Sequence, residues 1–412
     1  MFKEIEHCRI CGNTDLISVL DLGKQYLTGV FPKETSQKIT NGPLEIVRCF
    51  GDTNSCCGLV QLKHSYDLDE MYGNNYGYRS SLNNSMVDHL YKKVRDILKI
   101  VTVKKGDLII DIGSNDGTLL SAYGDHGYIL VGVDPSGSKF KEYYPNNVNL
   151  LPDFFSKDLI NTHFENKKAK IITSIAMFYD LESPVDFAQQ VSDILSDDGV
   201  WILEQSYLPT MIEQNAYDTI CHEHLEYYSL RQMKWIADRV GLKIIDVEEN
   251  YINGGSFSIK LAKEGAPYIE KKTNISKFNH RETFLVEETY HQFRDRVFEH
   301  REKLIDFIES KNKNKQLVLG YGASTKGNVV LQFCSFTKND IPYIAEVNKD
   351  KFGSFTPGTN IPIISEKEAK EMKPDYFMVL PWHFKDNIIS KEHEFLKSGG
   401  KLLFPLPSIE EI

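Results

Sequence analysis

Short apolar runs alternate with amphipathic stretches through the middle of the chain. The apolar runs predict strands at 108–111, 129–133, 148–151, 169–173, 199–204, 242–247 and 256–261. The amphipathic stretches predict helices at 85–98, 183–194 and 230–240. Because strands that alternate with helices are typical of βαβ units, we expect a mostly parallel α/β sheet. Its last two strands should pair antiparallel, and a loop should follow at 262–267.

A second set of strands follows a long charged segment. Residues 269–311 predict one or two long helices, with Phe293, Val297 and Leu304 facing inward. Further strands are predicted at 316–319, 343–347, 376–380 and 401–404. The chain should therefore hold a second α/β sheet, with the helical segment bridging the two.

The first predicted strand runs into an acidic turn, L-I-I-D-I-G-S-N-D-G-T-L-L, in which Gly113 lies between Asp111 and Asp116. Two carboxylates would repel a diphosphate, but they attract the positive sulfonium and amino groups of S-adenosylmethionine (SAM). Asp134 ends the next strand, where an acid commonly holds ribose hydroxyls. We therefore expect SAM at this turn; the alternative is a structural turn without a ligand.

Other residues near this turn are expected to contact the same cofactor. Asp153 and Phe154 follow a further strand and would lie near the adenine, although a surface turn is the alternative for this pair. The remaining candidates are Asn115, Pro135 and Ser174.

Five of the seven cysteines fall in the first 57 residues. C-R-I-C-G followed by a second cysteine group predicts a structural zinc site of four thiolates. The expected ligands are Cys8, Cys11, Cys49 and Cys57, with Cys56 as the substitute for Cys57. The alternative is a set of reduced cysteines without a metal.

A second glycine turn, G-Y-G-A-S-T-K-G, contains no acid. Ser324, Thr325 and Lys326 follow Gly320 and Gly322 at the start of a predicted helix. Backbone amides and an ammonium at a helix N-terminus favour an anion such as a diphosphate. The alternative is a Rossmann-like turn that binds no ligand.

Titratable side chains crowd together at Cys221-His222-Glu223-His224. The helical H-E-x-x-H spacing of zinc enzymes is missing, so acid–base chemistry is the better interpretation. A histidine can accept a proton from carbon, and a neighbouring glutamate can fix its tautomer. The alternative is a polar loop whose histidines satisfy backbone groups.

Composition narrows the class of protein further. The 412 residues carry a net charge of -10, which argues against a nucleic acid as the main partner. No apolar run approaches the roughly 20 residues of a membrane span, and the start lacks a signal peptide's apolar core. We expect a cytoplasmic protein with no membrane partner, a monomer or weak homo-oligomer, with domains at 1–70, 71–265 and 266–412.

Distinctive motifs span nearly the whole chain: C-R-I-C-G, V-L-D-L-G, C-G-L-V-Q-L, Y-G-Y-R-S-S, D-I-G-S-N-D-G, C-H-E-H-L-E-Y-Y-S, N-G-G-S-F, G-A-S-T-K-G-N and T-P-G-T-N-I-P-I. Together these motifs resemble those of the sugar C-methyltransferases of deoxysugar pathways. The resemblance implies an α/β fold: a class I SAM-dependent methyltransferase Rossmann-like sheet, a small N-terminal zinc module and a second C-terminal Rossmann-like domain. It also implies a nucleotide-linked keto-deoxysugar, commonly on dTDP, methylated on the carbon beside its ketone.

The same resemblance implies roles for individual residues. His224 would be the base that generates an enolate, Glu223 its supporting carboxylate, and Tyr76 or Tyr78 a donor near the sugar or oxyanion. Cys221 and Asp180 stand where characterised members carry tyrosine and histidine, which puts the protonation step and the methylated position in question. Two other functions stay open: a SAM-dependent enzyme for a non-sugar acceptor, and a protein that binds SAM without catalysis.

Overall fold

The computed structural model describes residues 2–52, 56–67, 70–71 and 79–412. Within these residues the chain forms a two-stranded ladder and sheets of four, seven and six strands. No helix of the described part is both long and apolar enough to cross a membrane.

The N-terminal strands build the four-stranded sheet and the small ladder. Their bounds are β1 (Phe2–Glu4), β2 (Leu16–Tyr26), β3 (Asn41–Cys49), β4 (Val60–Leu62) and β5 (His64–Tyr66). The strands β2, β3 and β4 pair antiparallel, and β1 pairs with β5. Cys49 lies at the end of β3, which places it beside the chain that leads into β4.

The seven-stranded sheet confirms the predicted α/β domain. Its strands are β6 (Leu108–Ile112), β7 (Ile129–Val133), β8 (Val148–Leu151), β9 (Ala169–Ile175), β10 (Leu195–Ser206), β12 (Leu242–Asn250) and β13 (Ser256–Lys263). The order is β12-β13-β10-β9-β6-β7-β8, parallel except for the antiparallel pairing of β13 with β10 and β12. Every residue of β6 is buried, as expected for a central strand. The loop predicted from residue 262 starts later, because β13 runs on to Lys263.

Helices cover this sheet and lead to the second one. They are α1 (Asn84–Leu98), α2 (Thr118–Ser121), α3 (Gly137–Phe140), α4 (Lys157–His163), α5 (Pro184–Ile194), α6 (Leu208–Glu213), α7 (Leu230–Arg239), α8 (Lys272–Arg281) and α9 (Glu287–Lys313). As predicted, α9 buries Phe293, Val297 and Leu304. The bridge between the two sheets is therefore two helices, α8 and α9.

The C-terminal sheet is also α/β. Its strands are β14 (Val318–Tyr321), β15 (Ile344–Glu346), β16 (Ile363–Ser365), β17 (Tyr376–Val379), β18 (Lys401–Phe404) and β19 (Glu410–Glu411), in the order β16-β15-β14-β17-β18-β19. Its helices are α10 (Thr325–Phe333), α11 (Glu366–Glu371), α12 (Lys385–Lys391) and α13 (His393–Lys397). The strands β14 to β18 pair in parallel, so the turn after β14 lies at a carboxyl edge like the turn after β6.

The segment between β10 and α7 crosses to the N-terminal module. Its strand β11 (Glu226–Tyr227) pairs antiparallel with β4 and completes the four-stranded sheet. Ile220, Leu225 and Tyr227 are buried there in one core with residues of β2, β3 and α9. The sequence pattern did not predict this pairing. It holds the loop at 221–224 close to β2, β3 and α9.

Candidate active site

One cavity of about 1070 Å³ brings the sequence motifs together. Its lining includes the turn after β6, the loop at 221–224 and the turn after β14. The three segments come from different parts of the chain, so their meeting is a property of the fold. A cavity of this size has room for two ligands of nucleotide size side by side.

The turn after β6 has the geometry of a cofactor turn. Gly113 adopts a left-handed φ of 76°, and a Cβ there would approach Met177 at 2.9 Å. The Asn115 N–H donates to Asp134 Oδ2 at 2.7 Å, which fixes the acid at the end of β7 over the turn. Thr173 Oγ1 donates to Asp111 at 2.5 Å, and burial raises the pKa of Asp111 to about 7. Asp111 therefore faces a site where a cation would favour its ionised form.

Asp116 does not line the cavity, contrary to the expectation that both turn carboxylates face the cofactor. Its Oδ1 accepts from the N–H and Oγ1 of Thr118, and its Oδ2 accepts from the Ser81 N–H at 2.9 Å. These bonds start α2 and tie the segment at 79–82 to the turn. Both oxygens of Asp116 are therefore bonded within the protein, which fits a structural role.

The remaining cofactor candidates divide in the same way. Pro135 and Phe154 line the cavity, and Phe154 is 51% exposed, so its ring is accessible to a ligand. Asp153 lies outside the lining, with its carboxylate accepting from the Phe154 N–H at 2.7 Å. Ser174 is buried behind the sheet edge, where its hydroxyl accepts from Trp201 Nε1 at 3.2 Å. The structure thus leaves Asp153 and Ser174 without a place in the cavity wall.

His224 is oriented by the backbone. Its Nδ1 donates to the Thr219 carbonyl oxygen at 2.8 Å, so Nε2 carries the lone pair of the neutral ring. The Tyr179 ring packs on the imidazole at 4.3 Å between centroids. Burial, and after it the nearby Lys326 ammonium, lowers the pKa of His224 to about 3, which keeps the ring neutral.

Glu223 does not fix the tautomer of His224, because Thr219 does so. The Cys221 thiol instead donates to Glu223 Oε2 at 3.6 Å, and burial raises the pKa of Glu223 to about 7. A Cβ on Gly29 would collide with Glu223 Oε1, so glycine is required for this close approach. Cys221, Glu223 and Asp180 all line the cavity beside His224.

His222 and the two tyrosine candidates complete the comparison with the sequence. His222 is buried outside the cavity and packs edge-on against Tyr66 at 4.6 Å between centroids. Tyr76 and Tyr78 lie outside the described residues.

The turn after β14 contributes hydrogen-bond donors to the cavity wall. Ser324 caps α10 by accepting from the Gly327 N–H at 2.9 Å, and it lines the cavity. Lys351 Nζ donates to the Ala323 carbonyl at 2.7 Å. Lys326 leaves the helix start and donates to the Asn253 carbonyl at 2.8 Å, beside His224. The anion site predicted at this turn stays a prediction; Lys351 bonds to the turn itself, whereas Lys326 bonds to the segment between β12 and β13.

Glu346 is a site residue to which the sequence pattern assigned no role. Its Oε2 accepts from the Ala323 N–H at 2.8 Å, as Asp134 accepts from Asn115 in the first turn. Glu346 is the last residue of β15, the strand after the second glycine turn, and Asp134 directly follows β7, the strand after the first. An acid at the end of the strand that follows a glycine turn is therefore the sequence signal that would have identified Glu346.

Four cysteine sulfurs meet next to the N-terminal sheet. The sulfurs of Cys8, Cys11, Cys49 and Cys57 all lie within 4.8 Å of one another. A tetrahedron of sulfurs about 2.3 Å from a zinc ion has edges of about 3.8 Å, so the set fits that ion. Cys56 is turned away, its thiol donating to the Gly51 carbonyl at 3.3 Å. The cluster contains Cys57, and four thiolates leave zinc no open position for catalysis.

Comparisons with known proteins cover nearly the whole chain. Family models match in succession: a zinc binding domain at residues 8–72, a methyltransferase domain at 86–247 and a C-methyltransferase C-terminal domain at 251–407. C-methyltransferase NovU of Streptomyces niveus is 29% identical over 413 aligned residues, covering 98% of this chain and 96% of that protein.

Two similar solved structures each align with less than half of this chain. The CcbJ methyltransferase from Streptomyces caelestis aligns with a TM-score of 0.33 at 10% identity, over 42% of this chain and 89% of that one. The YcgJ protein of Bacillus subtilis aligns with a TM-score of 0.34 at 14% identity, over 43% and 100%.

Proposed function

We propose that this SAM-dependent methyltransferase, whose three domains are similar to those of a C-methyltransferase, methylates a nucleotide-linked keto-deoxysugar beside its ketone. The observation that supports this substrate is the single cavity shared by an acidic turn, a histidine loop and a cationic turn. A methyl donor alone would not need the third segment. The C-terminal turn, with its helix N-terminus and lysine, fits a diphosphate.

The first turn would hold SAM, which supplies an electrophilic methyl group when bound. Asp134 is placed to hold ribose hydroxyls, and the exposed ring of Phe154 is placed to stack on the adenine. Asp111 supplies negative charge near a cationic ligand, and Gly113 allows close approach of the backbone. Asn115 and Pro135 complete this group of proposed contacts.

The second turn would hold the nucleotide. The amides at the start of α10 and the Lys351 ammonium favour a diphosphate, and Glu346 is placed to accept a hydrogen bond from a ribose hydroxyl. The sugar would then lie between the two turns, against the loop at 221–224. We propose dTDP as the nucleotide carrier.

His224 would act as the general base. Its Nε2 lone pair is available because Thr219 holds the proton on Nδ1, and the neutral ring persists at physiological pH. Removing a proton beside the ketone leaves an enolate, whose carbon is the nucleophile for methylation. Glu223, Cys221 and Asp180 are proposed to position the sugar, and Tyr76 or Tyr78 to donate to it. The thiolates of the zinc site fit a reducing compartment, so we place the enzyme in the cytoplasm.

Mass spectrometry of the product tests this function. The zinc-loaded enzyme is incubated with SAM and 4-keto-6-deoxyhexoses linked to dTDP, UDP, GDP or CDP. The expected product has one hydrogen replaced by methyl, keeps its ketone, and appears together with S-adenosylhomocysteine. An O-methylated product, or turnover only with a non-sugar acceptor, would contradict the proposal. As a binding check, dTDP should raise the melting temperature.

A further inference from the structure

Lys326 is a charged side chain that the proposed mechanism does not use. It lines the cavity, and its Nζ donates to the carbonyl of Asn253, in the segment between β12 and β13 of the other sheet. No carboxylate of the described residues forms an ion pair with it. Burial lowers the pKa of Lys326, against the opposing charge of Asp218. A desolvated ammonium without an ion pair favours an anion in the cavity.

The position of the Lys326 ammonium relative to His224 indicates which anion it would bind. Lys326 acts electrostatically on both His224 and His383, and all three side chains line the same cavity. The start of α10 and Lys351 already serve the anion site expected at the turn itself. Lys326 turns away from that site, so the anion it faces would form near His224 rather than at the diphosphate.

The chemistry proposed for His224 produces such an anion. When Nε2 takes the proton, the C–H electron pair becomes the carbon–carbon double bond, and the carbonyl π pair moves onto oxygen. His224 is a weak base because burial lowers its pKa, so proton removal requires that the developing oxygen anion be stabilised. A preorganised ammonium supplies that stabilisation without solvent rearrangement.

We propose that Lys326 is a catalytic residue that donates to the ketone oxygen and stabilises the enolate. The assignment rests on the proposed function, since it needs a ketone substrate. Under this assignment, Lys351 and the start of α10 hold the phosphates. Lys326 and His224 carry out the enolisation. The two lysines therefore form a matched pair for experiment.

Exchange of the proton beside the ketone tests the assignment apart from methyl transfer. The full-length, zinc-loaded enzyme is mixed in deuterated water with a dTDP-linked 4-keto-6-deoxyhexose and S-adenosylhomocysteine. Deuterium uptake then measures enolisation. Lys326→Met should slow exchange at saturation by about 100-fold while leaving the dissociation constant for dTDP unchanged. Lys351→Met should instead weaken dTDP binding, which is the defect that Lys326→Met should not show.

Each outcome bears on one of the two proposals. Unchanged exchange in Lys326→Met, or loss of dTDP affinity that accounts for its defect, overturns the role of Lys326. Absence of exchange by the wild-type enzyme with the dTDP, UDP, GDP and CDP probes overturns the proposed function, and this inference with it. If Lys326→Met does not fold, Lys326→Ala is used, and recovery of exchange on adding methylammonium is the expected result. Failure of that rescue in a folded variant counts against the assignment.

Discussion

The two α/β domains have the same turn with opposite charge. In the first, the Asn115 N–H donates to Asp134 at 2.7 Å, and in the second the Ala323 N–H donates to Glu346 at 2.8 Å. Asp111 stands beside the first turn, whereas Lys351 donates to the backbone of the second. The shared geometry is a strand, a glycine turn and an acid that accepts from a backbone N–H of that turn, and under the proposed function each turn would hold a nucleoside. The neighbouring charge therefore decides whether a cationic or an anionic ligand fits.

At each turn, burial disfavours the charged form of one ionisable side chain. Burial raises the pKa of Asp111 and lowers the pKa of Lys351, so each environment disfavours its charged form. A ligand of opposite charge reverses that effect at either turn. We therefore expect each ligand to recognise its own turn, with the loop at 221–224 between them.

The largest effect should come from changing the base while leaving both turns unaltered. His224→Gln removes the Nε2 lone pair, and methyl transfer should fall by about 1,000-fold or more. Dissociation constants for S-adenosylhomocysteine and dTDP, measured by calorimetry, should stay at wild-type values. Loss of either affinity would mean that the histidine belongs to a binding turn.

Zinc removal should affect the loop between the turns through the N-terminal sheet. Cys57→Ser removes one of four thiolates and should lower the melting temperature by about 10 °C. Cys56→Ser is the matched control, because Cys56 bonds to the Gly51 carbonyl outside the cluster. Activity should fall in Cys57→Ser because β11, which follows His224, pairs with this sheet. Equal melting temperatures for the two variants would argue against a metal held by Cys57.

Reciprocal variants separate the two turns directly. Asp134→Asn should raise the dissociation constant for SAM about 30-fold, or about 2 kcal/mol, because a charged hydrogen-bond acceptor is lost. It should leave dTDP binding unchanged, while Lys351→Met should weaken dTDP about tenfold and spare SAM. Calorimetry with both ligands on both variants measures all four constants. A variant that weakens both ligands equally would show that the turns act as one site.

These turns also show how far sequence reasoning extends. The alternation of apolar runs predicted the strands, and glycine and acid spacing located the first turn, because both are local properties. Asp116 and Ser174 lie outside the cavity lining, which the sequence could not indicate because their side chains bond to Ser81 and Trp201, distant in sequence. The support of His224 by Thr219 and the pairing of β11 with β4 could not be predicted, since both depend on tertiary packing.

The pH dependence of binding should differ between the turns. Burial raises the pKa of Asp111 to about 7, so the carboxyl gains its proton as the pH falls through that value. A protonated Asp111 no longer attracts the SAM cation, and SAM should bind about fivefold more weakly at pH 6 than at pH 8. Asp111→Asn is the control, and its SAM affinity should not vary with pH in this way. A wild-type affinity that is flat over this range would remove Asp111 from the SAM site.

Added salt should have the smallest effect on the dissociation constants of the two ligands. Its effect on each ligand depends on that ligand's charge, so it compares the two turns. Added salt screens the attraction between opposite charges, and a half-buried pair is screened only in part. Because a diphosphate carries more charge than the SAM cation, its dissociation constant should rise more steeply with ionic strength. Calorimetric titrations of dTDP and SAM across a salt series measure the two slopes, and Lys351→Met should flatten only the dTDP slope. Equal slopes for the two ligands in the wild type would mean that charge does not distinguish the turns, leaving shape as the basis of their selectivity.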